Sequence, residues 1–329
     1  MEASGSTDSE VQRFDVVICG GGLAGLTLAL QLRKELPELS VAVVEKSARP
    51  LPESAHKVGE SSVELGCQYF HRVGLQNYMK ERHFFKFGLR FFPGGGELPL
   101  EQRAEYGPSQ EPVVPSYQID RGRVEEDVMG VVAAAGATLF EGCTVRDLVL
   151  GEGGAAHTLV AERGEHRQRL ESTWLVDASG RTALIRKRLK LKRGTAHTAH
   201  AGWFRVKGKI DIDDLVPPEA KEWHDHPWAK ERWRSTNHLM GTGYWLWLIP
   251  LSCGNTSVGV VVHGETHSFD RVRTLERLLE FIEEIEPVVS RHLPKYEVID
   301  FLCLSDYAHQ TARAWSTDRW ALVGEAGAF

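Results

Sequence analysis

Three glycines near the start of the chain have the spacing of a phosphate-binding turn. Gly20, Gly22 and Gly25 follow a short apolar run rich in β-branched residues and precede a stretch with helical spacing. In this setting the first glycine permits a tight turn, the second lets a pyrophosphate approach the backbone, and the third allows close helix–strand packing. Glu45 ends the next apolar strand, where an acid accepts hydrogen bonds from adenosine ribose hydroxyls. The pattern predicts a dinucleotide site; the alternative is a plain glycine turn.

A lysine among aromatic residues is the second candidate for chemistry. Lys86 is flanked by four phenylalanines, which are Phe84, Phe85, Phe87 and Phe91. Partial burial among them would lower the pKa of the ammonium group and make the lysine a better nucleophile or proton donor. The alternative is a surface lysine whose aliphatic stem lies over the rings.

Two tryptophans form a third feature. Trp245 and Trp247 alternate within an apolar segment, so their side chains share one face of the predicted strand. The alternative is a core strand with two buried indoles.

The elements that must hold these residues follow from hydrophobic periodicity. Strand, glycine turn, helix and strand form a βαβ unit within the first 45 residues, and residues 60–86 have a mainly helical pattern. A helix is predicted over 124–136, and a small meander of strands over 138–150 and 157–176. Residues 196–265 alternate as an antiparallel sheet with one solvated face.

Three further segments resemble the FAD monooxygenase superfamily. Leu175–Arg181 resembles its second flavin-contacting motif, Ile119–Arg123 the segment whose first arginine lies beside the flavin, and Trp320–Ala326 the third motif. The resemblance implies that Asp177 and Arg121 contact the cofactor. It also implies that Glu325 meets the ribityl chain, although the family usually has aspartate there.

Other segments resemble the flavin-dependent halogenases within that superfamily. Trp245–Pro250 matches their W-x-W-x-I-P signature, and residues 84–91 resemble the segment that carries their reactive lysine. Residues 58–61 resemble their flavin-covering loop, which makes the neighbouring Lys57 a second candidate lysine. The resemblance assigns a catalytic role to Lys86, with Trp245 and Trp247 as a wall between flavin and substrate.

The resemblance implies an α/β fold, in which an FAD-binding Rossmann-like domain is joined by a second antiparallel-sheet domain. The expected divisions are a leader at 1–13, an FAD-binding domain at 14–195, a substrate domain at 196–310 and a return to the FAD domain at 311–329.

The implied activity is halogenation of an electron-rich aromatic substrate, either free or carrier-bound. FADH2 supplied by a partner reductase, O2 and halide would give hypohalous acid, which Lys86 would direct to the ring. The alternatives are a flavin hydroxylase, a flavin-dependent dehydrogenase that needs no O2, and an inactive, truncated flavin-binding chain.

Composition excludes several other classes. A chain of 329 residues with 42% hydrophobic and 26% charged residues is not disordered, and a net charge of −6 argues against nucleic-acid binding. The five cysteines are far apart and predict neither disulfides nor a metal site. No signal peptide or membrane span is predicted, so a cytoplasmic protein is expected.

The third motif lies close to the last residue of the sequence. In the halogenases the third motif is followed by a glycine loop that contributes to the halide site and by helices that form much of the substrate pocket. The chain ends at Phe329, before that loop. The resemblance therefore implies an incomplete and poorly active sequence.

Overall fold

The computed structural model describes residues 10–51 and 59–329. Within these ranges the strands and α-helices follow one another in this order: β1 (Gln12–Cys19), α1 (Leu23–Glu35), β2 (Val41–Glu45), α2 (Glu64–Arg72), α3 (Gln76–Arg82), β3 (Phe84–Phe85), β4 (Leu89–Pro93), β5 (Tyr117–Gln118), α4 (Arg121–Ala134), β6 (Thr138–Glu141), β7 (Thr144–Val149), β8 (His157–Arg163), β9 (His166–Asp177), α5 (Leu184–Arg188), β10 (Lys192–Arg193), β11 (Ala199–Lys207), α6 (Lys221–His224), β12 (Thr236–Gly241), β13 (Tyr244–Pro250), β14 (Asn255–His263), α7 (Leu275–Ile285), α8 (Pro287–Ser290), β15 (Val298–Leu304), β16 (Gln310–Thr311), β17 (Trp315–Ser316) and β18 (Trp320–Leu322).

The chain divides into two compact units, each assembled from separate segments. The first comprises Met1–Glu53, Gly122–Gly194 and His309–Phe329, and the second comprises Ser54–Arg121 and Thr195–Ala308. Of the described residues, 59–121, which the sequence analysis placed with the FAD-binding domain, fall in the second unit, where β4 pairs in parallel with β12.

The first unit is built on an eight-stranded sheet with the order β17-β18-β9-β1-β2-β6, and β7 and β8 extend it from β9. Strands β18, β9, β1, β2 and β6 run parallel to their neighbours in that order. Apolar β-branched residues occupy the middle strands, as expected of a parallel sheet covered on both faces. The predicted βαβ unit is confirmed: the apolar run that ends at Cys19 enters the glycine turn, and α1 returns the chain to β2.

The second unit is built on a six-stranded sheet with the order β15-β11-β14-β13-β12-β4. It is antiparallel except for the pairing of β12 with β4. Alternate residues of β13 enter two different clusters: Leu246 and Leu248 pack with α7, and Trp247 and Ile249 pack on the opposite face. The predicted antiparallel sheet is confirmed, but both of its faces carry apolar clusters.

The segment 60–86 departs from its helical prediction at both ends. Helices α2 and α3 form in its middle, but residues 60–62 are extended and residues 84–85 form β3. Ser62 N–H donates to the Tyr117 carbonyl at 3.0 Å, and Ile119 N–H donates to the Glu60 carbonyl at 2.5 Å. Backbone partners more than fifty residues away therefore override the local helical pattern.

Within the described ranges, none of the helices combines the length and the apolar character that a membrane crossing requires.

Candidate functional site

The nucleotide motifs of the first unit meet at one edge of its parallel sheet. Strands β18, β9, β1 and β2 are adjacent and parallel, so their carboxyl ends share that edge. Each end carries a predicted cofactor residue: the glycine turn follows β1, Glu45 ends β2, Asp177 ends β9 and Glu325 follows β18. Ligands of open α/β sheets bind outside the carboxyl ends of the strands. The fold thus brings together residues more than 300 positions apart.

The three glycines of the first motif have different surroundings. Gly20 has a φ of +118°, and a Cβ there would lie 2.3 Å from the Ala178 carbonyl oxygen. A Cβ on Gly25 would lie 2.0 Å from the Gly20 carbonyl oxygen. Gly22 precedes α1 in extended backbone, and a Cβ there would meet only Glu125 Oε1, at 3.9 Å, among the described residues. Two glycines are therefore required by packing, whereas the third leaves space for a ligand at the start of the helix.

Glu45 is anchored beside this turn. Its Oε2 accepts a hydrogen bond from Gly21 N–H at 2.6 Å, and its Oε1 accepts one from Ser47 N–H at 2.9 Å. A carboxylate has about four lone-pair positions, so two such bonds leave capacity for hydroxyl groups of a ligand. The position agrees with the role predicted for Glu45 from its spacing, which stays a prediction.

Glu125 is a residue of this region that the sequence analysis missed. It lies on α4, is fully buried, and its Oε1 accepts a hydrogen bond from Leu23 N–H at 3.3 Å. A carboxylate at this position stabilises the first turn of α1 by pairing one of its free N–H groups. Glu125 and Leu23 are 102 positions apart in the chain, and the Glu-Glu pair at 125–126 looks like an ordinary exposed helix face. No local pattern in the sequence therefore indicates this contact.

Asp177 makes contacts within its own turn. Its Oδ1 accepts hydrogen bonds from Ser179 N–H at 3.0 Å and from Ser179 Oγ at 2.5 Å, and its Oδ2 accepts one from Ile185 N–H at 2.8 Å. It is completely buried. These contacts show that Asp177 shapes the turn after β9; its predicted contact with the cofactor stays a prediction.

The third motif joins the other two. Val323 N–H donates to the Asp177 carbonyl at 3.0 Å, and a Cβ on Gly324 would lie 2.9 Å from Ala24 Cβ. Glu325 Oε2 lies 3.8 Å from the position of a Cβ on Gly180. The longer glutamate side chain thus reaches the turn of the second motif.

The residues of this edge fit a dinucleotide such as FAD. The open space at Gly22 suits the close approach of a pyrophosphate to the backbone. Near the second motif, Arg186 Nη1 is buried and has no hydrogen-bond partner among the described residues. Burial lowers the pKa of this guanidinium group, and the Asp177 carboxylate opposes that effect. An unpaired buried donor is costly, and a bound group with acceptor oxygens would satisfy it.

Lys86, in the second unit, lies in a polar enclosure. Only 1% of the residue is exposed. Its Nζ donates to Ser61 Oγ at 2.8 Å and to the Ser62 carbonyl at 2.7 Å. Burial lowers the pKa of Lys86 to about 8, and Glu64 and Cys67 on α2 oppose that effect. At pH 7 about one tenth of this lysine is therefore an uncharged amine, and at pH 8 about half of it is.

The pKa of a histidine on β12 is also affected by the charge of this lysine. His238 stacks on Phe91 with ring centroids 5.0 Å apart. Burial lowers the pKa of His238 to about 4, and the charge of Lys86 adds to that effect. His238 is therefore neutral at the pH at which Lys86 titrates.

Glu60 lies in a separate cluster of charges in the second unit. Burial raises the pKa of Glu60 to about 7, against a hydrogen bond from Ser257 and the charge of Arg205. Asp120 raises this pKa further and Arg121 lowers it. Arg205 also forms an ion pair with an aspartate, because its Nε donates to Asp300 Oδ2 at 2.8 Å.

Arg121 lies close to the start of the same segment. Its Nη1 is 2.9 Å from the position that a Cβ on Gly59 would take. Its predicted contact with the cofactor stays a prediction.

The two tryptophans share a face of β13 but differ in exposure. Trp247 is 6% exposed, and its Nε1 donates to Ser257 Oγ at 3.1 Å. Trp245 is 36% exposed. A Cβ on Gly259, the residue opposite Trp247 on β14, would lie 2.3 Å from Trp247 Cζ2. A glycine in the middle of a strand often marks a place where another group approaches closely, and Gly259 is the sequence signal for this contact.

Lys57 and Val58, which were predicted to belong to the flavin-covering loop, lie outside the described residues. Gly59, Glu60 and Ser61 of the same predicted loop are described, and they belong to the second unit.

Comparisons with known proteins give consistent matches. The family model for the FAD binding domain matches residues 13–327. The flavin-dependent halogenase chlA of Dictyostelium discoideum is 28% identical over 348 residues, which cover 97% of this chain and 56% of that protein. A chlorinase of 1H-pyrrole-2-carbonyl groups on a peptidyl-carrier protein, from Pseudomonas fluorescens, is 26% identical over 96% of this chain and 70% of its own length.

Among solved structures, halogenase PltM in complex with phloroglucinol and FAD has a TM-score of 0.78 at 15% identity. The match covers 96% of this chain and 64% of that chain. At this identity the likeness shows the fold. The chain thus spans a little over half the length of the Dictyostelium halogenase and about two thirds of that solved halogenase.

Proposed function

The chain belongs to the FAD binding domain family, and from that premise we propose that it carries out FADH2-dependent halogenation of an electron-rich aromatic substrate. The observation that carries this proposal is Lys86, a buried lysine with a lowered pKa in a relative of named halogenases. A simple flavin-binding module has no need of such a group.

In this proposal the edge of the first sheet holds the cofactor. Gly22 and the start of α1 face the pyrophosphate, and Glu45 accepts hydrogen bonds from ribose hydroxyls. Glu325 meets the ribityl chain, and Arg121 and Asp177 serve the flavin end. When bound, reduced FAD together with O2 supplies the oxidising power that converts halide into hypohalous acid.

Lys86 then transfers the halogen. Its neutral nitrogen attacks the halogen of hypohalous acid, so an N–X bond forms and the X–O bond breaks. The departing hydroxide takes one amine proton and leaves as water. An aromatic carbon next attacks the halogen, the N–X bond breaks, and the ring proton returns to the nitrogen. The lysine is regenerated, as nucleophilic catalysis requires.

Trp245 and Trp247 have the complementary task of separating oxidant from substrate. Trp247 is held by Ser257 and packs against Trp203 with ring centroids 6.5 Å apart, so its indole is a fixed wall. The partly exposed Trp245 continues that wall along the same face of β13. A direct transfer of oxygen to the substrate is thereby disfavoured relative to halogenation.

The proposed partners follow from the chemistry and from the relatives. Halide is consumed, and a flavin reductase supplies FADH2. One relative is named for a pyrrole carried on a peptidyl-carrier protein, which makes a carrier-bound aromatic the first substrate class to test. Free phenols and indoles are the second.

The test is an assay of the purified chain with FAD, a flavin reductase, NADH, O2 and either chloride or bromide. Phenol, indole and carrier-bound pyrrole substrates are analysed by mass spectrometry for the isotope pattern of the halogen. We expect halogenated product that disappears without halide and in Lys86→Met. A hydroxylated product that forms without halide would replace this proposal with a monooxygenase. The absence of any product, with FAD bound, would also contradict it.

A further inference from the structure

The Lys86 amine is held at two of its hydrogen-bonding positions. Ser61 Oγ and the Ser62 carbonyl oxygen both accept hydrogen bonds from Nζ, at 2.8 and 2.7 Å. A neutral amine has two N–H groups and one lone pair on a tetrahedral nitrogen. When both N–H groups point to these oxygens, the lone pair has one remaining direction.

The hydroxyl of Ser61 is itself fixed. Ser61 Oγ lies 2.7 Å from Thr236 Oγ1, and Thr236 exchanges hydrogen bonds of 3.0 and 3.2 Å with the Gln118 amide. Thr236 and Gln118 are both buried. Because Thr236 Oγ1 donates its one hydrogen to Gln118 Oε1, the hydrogen between the two hydroxyls comes from Ser61, and a Ser61 lone pair is left to accept from the lysine.

The Ser62 carbonyl is held just as firmly, by the backbone of β5. Ser62 N–H donates to the Tyr117 carbonyl at 3.0 Å, and Tyr117 N–H donates to Ser62 Oγ at 2.7 Å. Both acceptors of the lysine therefore lie on one extended segment tied to a neighbouring strand.

We propose that Ser61 is a positioning residue, which together with the Ser62 carbonyl aims the lone pair of Lys86 at the incoming halogen. This inference rests on the proposed function, since it concerns how the lysine of that reaction is oriented. After the N–X bond forms, the haloamine keeps one N–H, and either oxygen can accept it. The nitrogen therefore stays held while it passes the halogen to carbon, and misalignment at this stage is costly.

Ser61 also affects the charge of the lysine. Hydrogen bonds to an ammonium group are stronger than those to an amine, so an acceptor favours the charged form. The other groups that act on the pKa of Lys86 are Glu64 and Cys67 on α2, whereas the nearby His238 on β12 is neutral at the pH at which Lys86 titrates. Removal of the Ser61 hydroxyl should therefore lower the pKa of Lys86 further. The lone pair of the Lys86 nitrogen should also lose its fixed direction.

The experiment measures these two effects separately. The pKa of Lys86 is read from the ¹³Cε resonance of isotope-labelled lysine, assigned by its loss in Lys86→Arg. In Ser61→Ala we expect the midpoint to fall by about 0.5–1 pH unit. We expect kcat for halogenation to fall by about 10- to 100-fold, with KM for the aromatic substrate unchanged. Ser61→Thr, which keeps the hydroxyl, should restore both values.

The matched control is Ser235→Ala. Ser235 is a fully buried serine of the same unit, and its Oγ donates to the Phe87 carbonyl at 2.8 Å. Its loss should leave the midpoint of Lys86 and kcat as they are. An unchanged midpoint in Ser61→Ala would overturn the inference. A midpoint that rises towards the ordinary value of lysine would overturn it too, because that result would mean that the enclosure had opened.

The outcomes also separate this inference from the proposed function. If the parent halogenates and Ser61→Ala does so equally well, only the inference falls. If the Lys86 midpoint moves down as expected but the parent never halogenates, the proposed reaction falls, and the role of Ser61 in it falls as well. The contact between Ser61 and Lys86 would then have been established as a property of the fold alone.

Discussion

Glu60 and Ser61 are consecutive in the chain, yet they contact different parts of the second unit. Ser61 Oγ lies 2.8 Å from Lys86 Nζ, whereas the Glu60 carboxyl group hydrogen-bonds with Ser257. Ser257 Oγ in turn accepts a hydrogen bond from Trp247 Nε1. Side chains alternate along an extended segment, so one short segment contacts the lysine on one side and the partner of the buried tryptophan on the other.

The activity of the chain should depend on pH through Lys86. The lysine reacts as a neutral amine, so kcat should rise between pH 7 and 9 with a midpoint near 8, the pKa that burial gives this residue. Lys86→Met should reduce kcat by at least about 100-fold, with little change in Tm. Steady-state rates across this pH range and thermal unfolding check both statements. A flat profile would contradict the role of the amine.

The stability of the chain should depend on pH through Glu60. Its pKa is about 7 when folded, above the ordinary value of glutamate, so the folded state binds more protons between those two values. The stability that this group contributes is therefore complete below its unfolded pKa and is lost as pH rises through 7. A shift of this size corresponds to about 3 kcal/mol.

Glu60→Gln removes that titration. The difference in Tm between Glu60→Gln and the parent should therefore shift in favour of the variant as pH rises from 5 to 8. The comparison uses thermal unfolding of both chains in the same buffers. A difference that stays constant over this range would show that Glu60 does not titrate as described.

Two neighbouring glycine substitutions should have opposite consequences. Gly20→Ala forces a Cβ into a backbone with φ of +118° and against the Ala178 carbonyl, so it should cost at least about 2 kcal/mol of stability. Gly22→Ala places its methyl group in open space, so stability should change by less than about 0.5 kcal/mol. FAD binding should nevertheless weaken in Gly22→Ala, because the methyl group occupies the approach of the pyrophosphate. Urea unfolding and FAD titration distinguish the two effects.

Glu45 and Glu141 offer a matched pair for testing cofactor binding. They are directly opposite each other on β2 and β6, but Glu141 binds Arg49, with Nε donating to Oε2 at 3.0 Å. Glu45→Gln should weaken FAD binding by about 10-fold, because one acceptor oxygen becomes a donor and the remaining oxygen accepts the ribose hydrogen bonds without a charge. Glu141→Gln should leave it unchanged. Quenching of flavin fluorescence measures both, and equal losses would place Glu45 outside the cofactor site.

Sequence patterns predicted the parts of the molecule that are local or that belong to a shared family. The α/β fold of the FAD-binding type, FAD as cofactor and the resemblance to flavin-dependent halogenases are confirmed. The glycine turn was readable because strand, turn and helix are contiguous. The expected burial of Lys86 also agrees with the structure, although the residues that hold its nitrogen are serines rather than the flanking phenylalanines.

The features that sequence analysis missed depend on contacts between distant segments. Residues 60–62 are extended because β5, more than fifty residues later, supplies their hydrogen bonds. Glu125 stabilises α1 from a helix whose sequence looks like an ordinary amphipathic surface. The contacts of Asp177 with Ser179 and Ile185 depend on the shape of a turn that composition does not encode.

The order of the strands in the first sheet has a consequence for biosynthesis. Strand β18 pairs with β9, which in turn pairs with β1. Until the ribosome has released residues 320–322, the carboxyl end of β9 at residues 175–177 lacks its neighbour on the side opposite β1 and presents unpaired backbone groups there. The first 300 residues can therefore collapse around β1, β2 and β9 without completing the edge at which the motifs meet. A nascent chain should acquire tight affinity for FAD only after β18 and Glu325 have left the ribosome.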